Sequence, residues 1–277
     1  ADAKDLASTP RWSGAAIDMG AYEVFALTPN LGTIYVREGY TGNGISWANA
    51  TGDLQQAIYC EGVQYVFTEI GNYNAPSNSF RLKNNVEVYG GFDPDNGILD
   101  LTDERILPTI AQEGSVMNGE NAKRVIENAW NGLNHSAILD GFTVKNGYSS
   151  NSGAGIWTSL SSPLYRNLVI KNNHASLYGG GVVNRTEVGN SGTTNPTFIN
   201  CIITNNSAND GGGGVYNVKT NNSYITYINC LISKNTSYYS GGGSAVYNLG
   251  SNNQGAVEFI NCTFAANHQQ GSPYYQS

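Results

Sequence analysis

From Leu139 onward the chain runs in short β-type alternations of apolar and polar residues, each broken by asparagine or glycine, with no helical periodicity between them. The stretch NPTFINCIITNNSANDGGGGVYN, Asn195 to Asn217, organises the pattern, because copies lie on both sides: YRNLVIKNN from Tyr165, YINCLISKN from Tyr227 and FINCTFAAN from Phe259. Their leading asparagines, Asn167, Asn200, Asn229 and Asn261, are spaced by 33, 29 and 32 residues. A second asparagine follows six positions later in every copy, at Asn173, Asn206, Asn235 and Asn267. Behind the first three copies comes a glycine run and a short strand ending in asparagine: GGGVVN (Gly179–Asn184), GGGVYN (Gly212–Asn217) and GGGSAVYN (Gly241–Asn248). LDGFTVKNG from Leu139, followed by GAGIW (Gly153–Trp157), is an earlier and weaker copy.

A unit of about 30 residues cannot bury its apolar face alone, so it must stack on its neighbours. Short strands without intervening helices predict an all-β fold, a right-handed parallel β-helix. Equivalent positions then lie about 4.8 Å apart along the axis. Two columns read as interior: Phe142, Leu168, Cys201, Cys230, Cys262, and Val144, Ile170, Ile203, Ile232, Phe264. The two asparagine columns are expected at turns, where Asn accepts left-handed backbone and bonds its neighbours. The glycine runs are expected at corners where backbone meets backbone.

These units resemble the repeats of chlamydial polymorphic outer-membrane proteins. They are more similar to those of Bacteroidetes-type secreted right-handed β-helix proteins, whose domains open with phrases like TIYVREGYTGNGISWANATGDLQQAI (Thr33–Ile58) and SFRLKNNVEVYGGFD (Ser79–Asp93). The resemblance covers nearly the whole chain. It implies the fold and an extracellular or cell-surface location, and leaves activity open, since solenoids serve adhesins, lyases, glycosidases and fibres alike.

In that family a phrase similar to DLASTPRWSGAAIDMGAYE (Asp5–Glu23) ends a β-helix domain, whereas here it precedes the opening phrase. Residues 1–29 are therefore read as a terminal-type segment and residues 30–277 as the β-helix. The segment could end a preceding domain, fold back along its own rod, or complete a neighbouring subunit. Roughly eight rungs make a rod on the order of 40 Å, and the residues from Gly20 to Leu31 span at most about 36 Å, so folding back is strained. Strand addition between copies is heterologous and propagates head to tail. The residues expected at such a junction are Ile17, Asp18, Met19, Gly20, Ala21, Tyr22 and Glu23 on one side, with Phe264 at the receiving end. TGDLQQAIYC (Thr51–Cys60) places Leu54, Ala57 and Ile58 at helical spacing behind Thr51 or Asp53 as N-cap, and predicts a short helix capping the N-terminal end, with Leu54 and Ile58 at the junction.

The charge balance changes the picture only by exclusion: a net charge of −7 and no basic stretch argue against a nucleic-acid partner. No 18-residue apolar run is present, so membrane insertion by a helix is not expected. Three of the four cysteines share one column and read as buried free thiols rather than bridges, without zinc spacing.

Candidate chemistry is sparse. Asp140, Glu187, Asp210 and Glu258 share no repeat position, and no charged cluster across adjacent rungs is expected. Lys145 and Lys171 share a column that continues as Thr204, Ser233 and Ala265, and read as a solvated face. Asp93, Asp95, Asp100 and Asp103 form an acidic loop, a weak calcium candidate whose plainer reading is a hydrated turn, so no cofactor is expected. Tyr178, Tyr216, Tyr238, Tyr239 and Tyr247 fall near repeat corners, either as an aromatic stripe for stacking sugars or as one stacked strand column. The expectation is a structural or adhesive rod whose partners are copies of itself and surface glycans. The alternatives are a polysaccharide lyase or glycosidase, or a glycan-binding module.

Overall fold

The computed structural model describes residues 12–13, 16–17, 27–186, 192–219, 223–239, 242–250 and 255–270. Four all-parallel sheets carry the fold, with strands ordered so that each rung lies beside the next. Sheet 1 has eight strands: Thr33–Val36, Tyr65–Glu69, Val86–Phe92, Ala137–Asp140, Leu164–Arg166, Thr197–Ile199, Ser223–Ile228 and Gly255–Ile260. Sheet 2 has seven, from Gly71–Asn74 to Thr263–Ala265. Sheets 3 and 4 have five each, running from Tyr148–Ser149 to His268–Gln269 and from Ile126–Ala129 to Val246–Gly250. The chain visits sheets 1, 2, 3 and 4 in turn and returns to sheet 1 one rung further on. This is a parallel β-helix, with the right-handed sense of parallel crossovers.

Stacking in register makes sequence repeats into spatial neighbours. Val144 pairs with Ile170, Ile170 with Ile203, Ile203 with Ile232, and Ile232 with Phe264. The first four are fully buried. Phe142, Leu168, Cys201 and Cys230 are buried beside them. All four cysteines are free thiols. Burial holds the Cys201 thiol well above its ordinary pKa, so it behaves as a small apolar side chain. Opposite this wall, inside sheet 1, Tyr165, Phe198, Tyr227 and Phe259 stack at 4.8, 4.9 and 4.8 Å between ring centroids. Each buried aromatic or branched side chain contributes about 1.5–3 kcal/mol through burial.

The helix Leu54–Tyr59 lies at the N-terminal pole, its amides capped by the Asp53 carboxylate, which accepts from Gln56 N at 2.8 Å. Leu54, Ala57 and Ile58 are its buried residues. Trp12–Ser13 and Ala16–Ile17 pair antiparallel, Trp12 opposite Ile17, in a ribbon that joins none of the four sheets. Asp18, Met19, Gly20, Ala21, Tyr22 and Glu23 lie outside the described residues.

Candidate functional site: ladders, clamps and an open pole

In the last four rungs the turn from sheet 1 to sheet 2 is made by Asn167, Asn200, Asn229 and Asn261, at φ between 51° and 54°; in the rung before them Gly141 takes the place, at φ 82°. Asparagine tolerates this left-handed backbone better than any other residue with a side chain. Asn200 Nδ2 donates to Asn167 Oδ1 at 3.3 Å, and Asn229 Nδ2 to Asn200 Oδ1 at 3.4 Å, on the exposed surface. The second column is buried. Asn173, Asn206 and Asn235 each donate Nδ2 to the Oδ1 of the next rung, at 2.9, 3.0 and 3.0 Å. They also donate to a strand carbonyl of the rung before, Val144, Ile170 or Ile203. The backbone N–H of each donates to the same Oδ1, so these buried amides are satisfied on every side. Asn267 closes the column with Nδ2 on Ile232 O.

A third ladder went unremarked in the sequence although its signal was there, in the asparagine ending each GGG strand. Thr158, Asn184, Asn217 and Asn248 are in register on sheet 4. Asn184 Nδ2 donates to Asn217 Oδ1 at 2.9 Å and to Tyr227 Oη at 2.8 Å; Asn217 Nδ2 donates to Asn248 Oδ1 at 2.8 Å. The glycine before each strand leaves room for this closeness: a Cβ at Gly214 would lie 2.6 Å from Ala245 O and 2.8 Å from Asn235 Nδ2.

The tyrosine corner closes on itself. Tyr178 stacks on Tyr216 at 4.6 Å and Tyr216 on Tyr247 at 5.4 Å. Tyr216 is only 6% exposed, its phenol pushed above the ordinary value by burial. Tyr178 is raised too, first by burial and then by the charge of Asp210. The inner ring faces meet each other and are closed to a ligand. Tyr238 is half-buried and Tyr239 is exposed.

Two expectations about charge are overturned. Charged clusters do span adjacent rungs, and both are built by the loop after Phe92. On sheet 1, the buried carboxylate of Asp140 meets Arg105 Nη2 at 3.0 Å and Arg166 Nε at 2.9 Å, and accepts from Asn167 Nδ2 at 2.9 Å. Arg105 also donates to Gly90 O and lies over the Tyr89 ring. Tyr89 donates to Glu87 and accepts from Arg166. On sheet 2, Lys145 and Lys171 are in register, and Glu113 bridges their ammonium groups. They are not a solvated face: their side chains are 18% and 12% exposed. Burial works against the Glu113 charge, but the two lysines outweigh it and hold the carboxyl below its usual range.

The acidic loop does not converge on a cation. Asp95 pairs with Arg37 at 2.6 Å, and Asp93 accepts from Asn96. Asp100 accepts from Thr102, and Asp103 from the backbone of Leu99 and Asp100. Among the described residues no group of three or more His, Cys, Asp or Glu is arranged to hold a metal.

The poles differ. At the C-terminal pole the last strands, Val246–Gly250, Gly255–Ile260, Thr263–Ala265 and His268–Gln269, have a neighbour on one side only among the described residues. Phe264 is 48% exposed, although every earlier member of its column is buried. Phe259, Val257, Val246 and Cys262 are half-buried at the same end. The described residues therefore form a parallel β-helix with one lidded and one open pole. No family model, curated protein or solved structure matches this chain.

Proposed function

We propose that this chain is an extracellular structural or adhesive rod of the Bacteroidetes secreted type, which assembles end to end through its open pole. The observation that carries this reading is Phe264, the last member of a buried column, standing half out of the rod. An unpaired strand edge with exposed apolar side chains favours covering. Internal charge neutralisation supports a passive wall: the Asp140 and Glu113 carboxylates are both engaged in ion pairs that tie the loop to the rungs. No helix among the described residues is long and apolar enough to cross a membrane. Exposed Tyr224 and Tyr239 are the candidates for surface glycan contact. Electron microscopy of the natively purified protein tests the reading. Filaments with an axial repeat near one rod length are expected, and single short rods at every concentration would overturn it.

A second reading, a polysaccharide lyase or glycosidase, draws on the two charged clusters across rungs. In a lyase Lys145 or Lys171 would have to act as base, which their shared ion pair with Glu113 opposes. Depolymerisation of acidic polysaccharides, lost in Lys171→Ala, is the result that would favour it.

A further inference from the structure

A phrase similar to the strand motif of sheet 4 occurs near the start of the sequence, ahead of the first strand of sheet 1. Gly181-Val182-Val183-Asn184, Gly214-Val215-Tyr216-Asn217 and Ala245-Val246-Tyr247-Asn248 stack in register. In each, a small residue leads, a valine packs into the core, a second apolar residue, Val183, Tyr216 or Tyr247, sits on the other face, and an asparagine joins the interior ladder. Gly20-Ala21-Tyr22-Glu23 repeats this order: small, apolar, aromatic, polar.

The open end of sheet 4 lacks what that sequence supplies. Its outer column ends in the Tyr216–Tyr247 stack, with Tyr247 half-buried and no further ring stacked beyond it among the described residues. Its inner ladder passes hydrogen bonds in one direction, Asn184 to Asn217 to Asn248, so the next group must accept from the exposed Asn248 amide. A carboxylate only accepts, and it ends such a ladder without leaving a donor over.

The rod's own tail cannot reach this end. Leu27 is fixed at the opposite pole, where its carbonyl accepts from the Cys60 thiol and Thr28 N donates to Asn43 O. Seven steps of sheet 1 separate that pole from the last rung, about 34 Å. The five residues from Tyr22 to Leu27 span at most about 18 Å. A donor in another copy meets the constraint: the four residues from Glu23 to Leu27 bring the donor's lidded pole within about 14 Å of the acceptor's last rung, so the two rods abut.

Resting on the end-to-end reading above, we infer that residues 20–23 of one copy add as the next parallel strand of sheet 4 in a second copy. Ala21 lies on Val246, Tyr22 on Tyr247, and Glu23 accepts from Asn248. The contact is heterologous and propagates.

The test mixes full-length Tyr22→Cys protein with full-length Tyr247→Cys protein, applies a short bifunctional thiol reagent and reads linked peptides by mass spectrometry. Tyr22→Cys mixed with Thr263→Cys, on sheet 2, is the control. Linkage between positions 22 and 247 of different molecules, dominant over 22 to 263, is expected. Association with linkage to 263, or to neither, overturns this register and leaves end-to-end assembly standing. Absence of association at any concentration overturns both. Linkage within one molecule, in the dilute double variant, overturns action between copies. Independently of cysteine chemistry, Glu23→Ala in the full chain is expected to weaken association about tenfold by sedimentation, the scale of one charged hydrogen bond; unchanged association overturns the ladder-ending role.

Discussion

The two poles of the rod pose one problem and meet it differently. A solenoid strand bonds a neighbour above and below, so each terminal strand has an edge and a row of inward side chains with nothing over them. At the N-terminal pole the edge of Thr33–Val36 is engaged: Tyr35 N donates to Gly44 O, Thr51 N to Tyr35 O, and Arg37 N to Thr51 O. The helix Leu54–Tyr59 then buries Leu54, Ala57 and Ile58 over the core. At the other pole no described residue covers Phe264, Ile260 or Leu249, which are 48%, 45% and 48% exposed. Ile232 and Phe264 hold the same repeat position, and the difference in their burial comes only from whether a further rung lies above. Burial in this fold belongs to the stack more than to the residue.

Substitutions made in pairs along the axis sharpen or break that contrast. The largest effect is expected within the buried ladder. Asn206→Ala removes the acceptor shared by the Asn173 amide and N–H and the donor to Ile170 O, all in the buried interior, costing about 4 kcal/mol. Asn267→Ala, at the open end, removes the matching contacts to the Asn235 amide, the Asn235 N–H and Ile232 O, but at a part-exposed rung where water can replace them, so it should cost only about 2 kcal/mol. Urea unfolding of both variants measures the gap, and equal losses would break the comparison.

Next come the pole side chains themselves. Leu54→Ala at the lidded pole should destabilise the rod by about 3 kcal/mol, as a buried leucine does. Phe264→Ala should cost about 1 kcal/mol or less in dilute protein and should abolish end-to-end association. The same cost at both poles would mean that the open pole is already covered. Smaller still is the helix cap. Asp53→Ala removes the acceptor for Gln56 N and should cost about 1 kcal/mol, read as a lowered melting temperature.

A pH dependence follows from Glu113, whose carboxyl is held below its usual range by Lys145 and Lys171 against the cost of burial. A depressed carboxyl contributes stability that is complete above its unfolded pKa, near about 4.3, and is lost as pH falls through the native value. Glu113→Gln should remove a contribution on the order of 1 kcal/mol at neutral pH, discounted for solvent screening of a partly exposed group. It should also flatten the stability curve below about pH 4. An unchanged acid limb in the variant would show that the clamp does not couple to folding.

Much of the rod was legible because in-register parallel stacking turns alignment into adjacency. The column Val144, Ile170, Ile203, Ile232, Phe264 could be written down from spacing alone, and the pairing has that register. The capping helix was legible from Leu54, Ala57 and Ile58 on one helical face. What spacing could not give lies where the repeat fails. Arg105 and Glu113 come from a loop without periodicity, and they reach Asp140 and Lys145 across 35 and 32 residues. Nothing in the local sequence marks those partners. The early strands Tyr65–Glu69 and Val86–Phe92 shift register between Phe67 and Glu69, which hides them from the repeat alignment. The sheet 4 ladder was visible as letters, the asparagine after each glycine run. Its inward direction became evident only with Tyr227 Oη beside Asn184 and Asn217.

The central claim is that the open pole is completed by another copy of the chain, and hydrogen exchange against protein concentration tests it most directly. The account predicts that amides of Val246–Gly250 and Thr263–Ala265 gain protection as concentration rises, while those of Thr33–Val36 are protected throughout. Protection of the last rung that is high and independent of concentration, in a protein that stays a single rod, would contradict it.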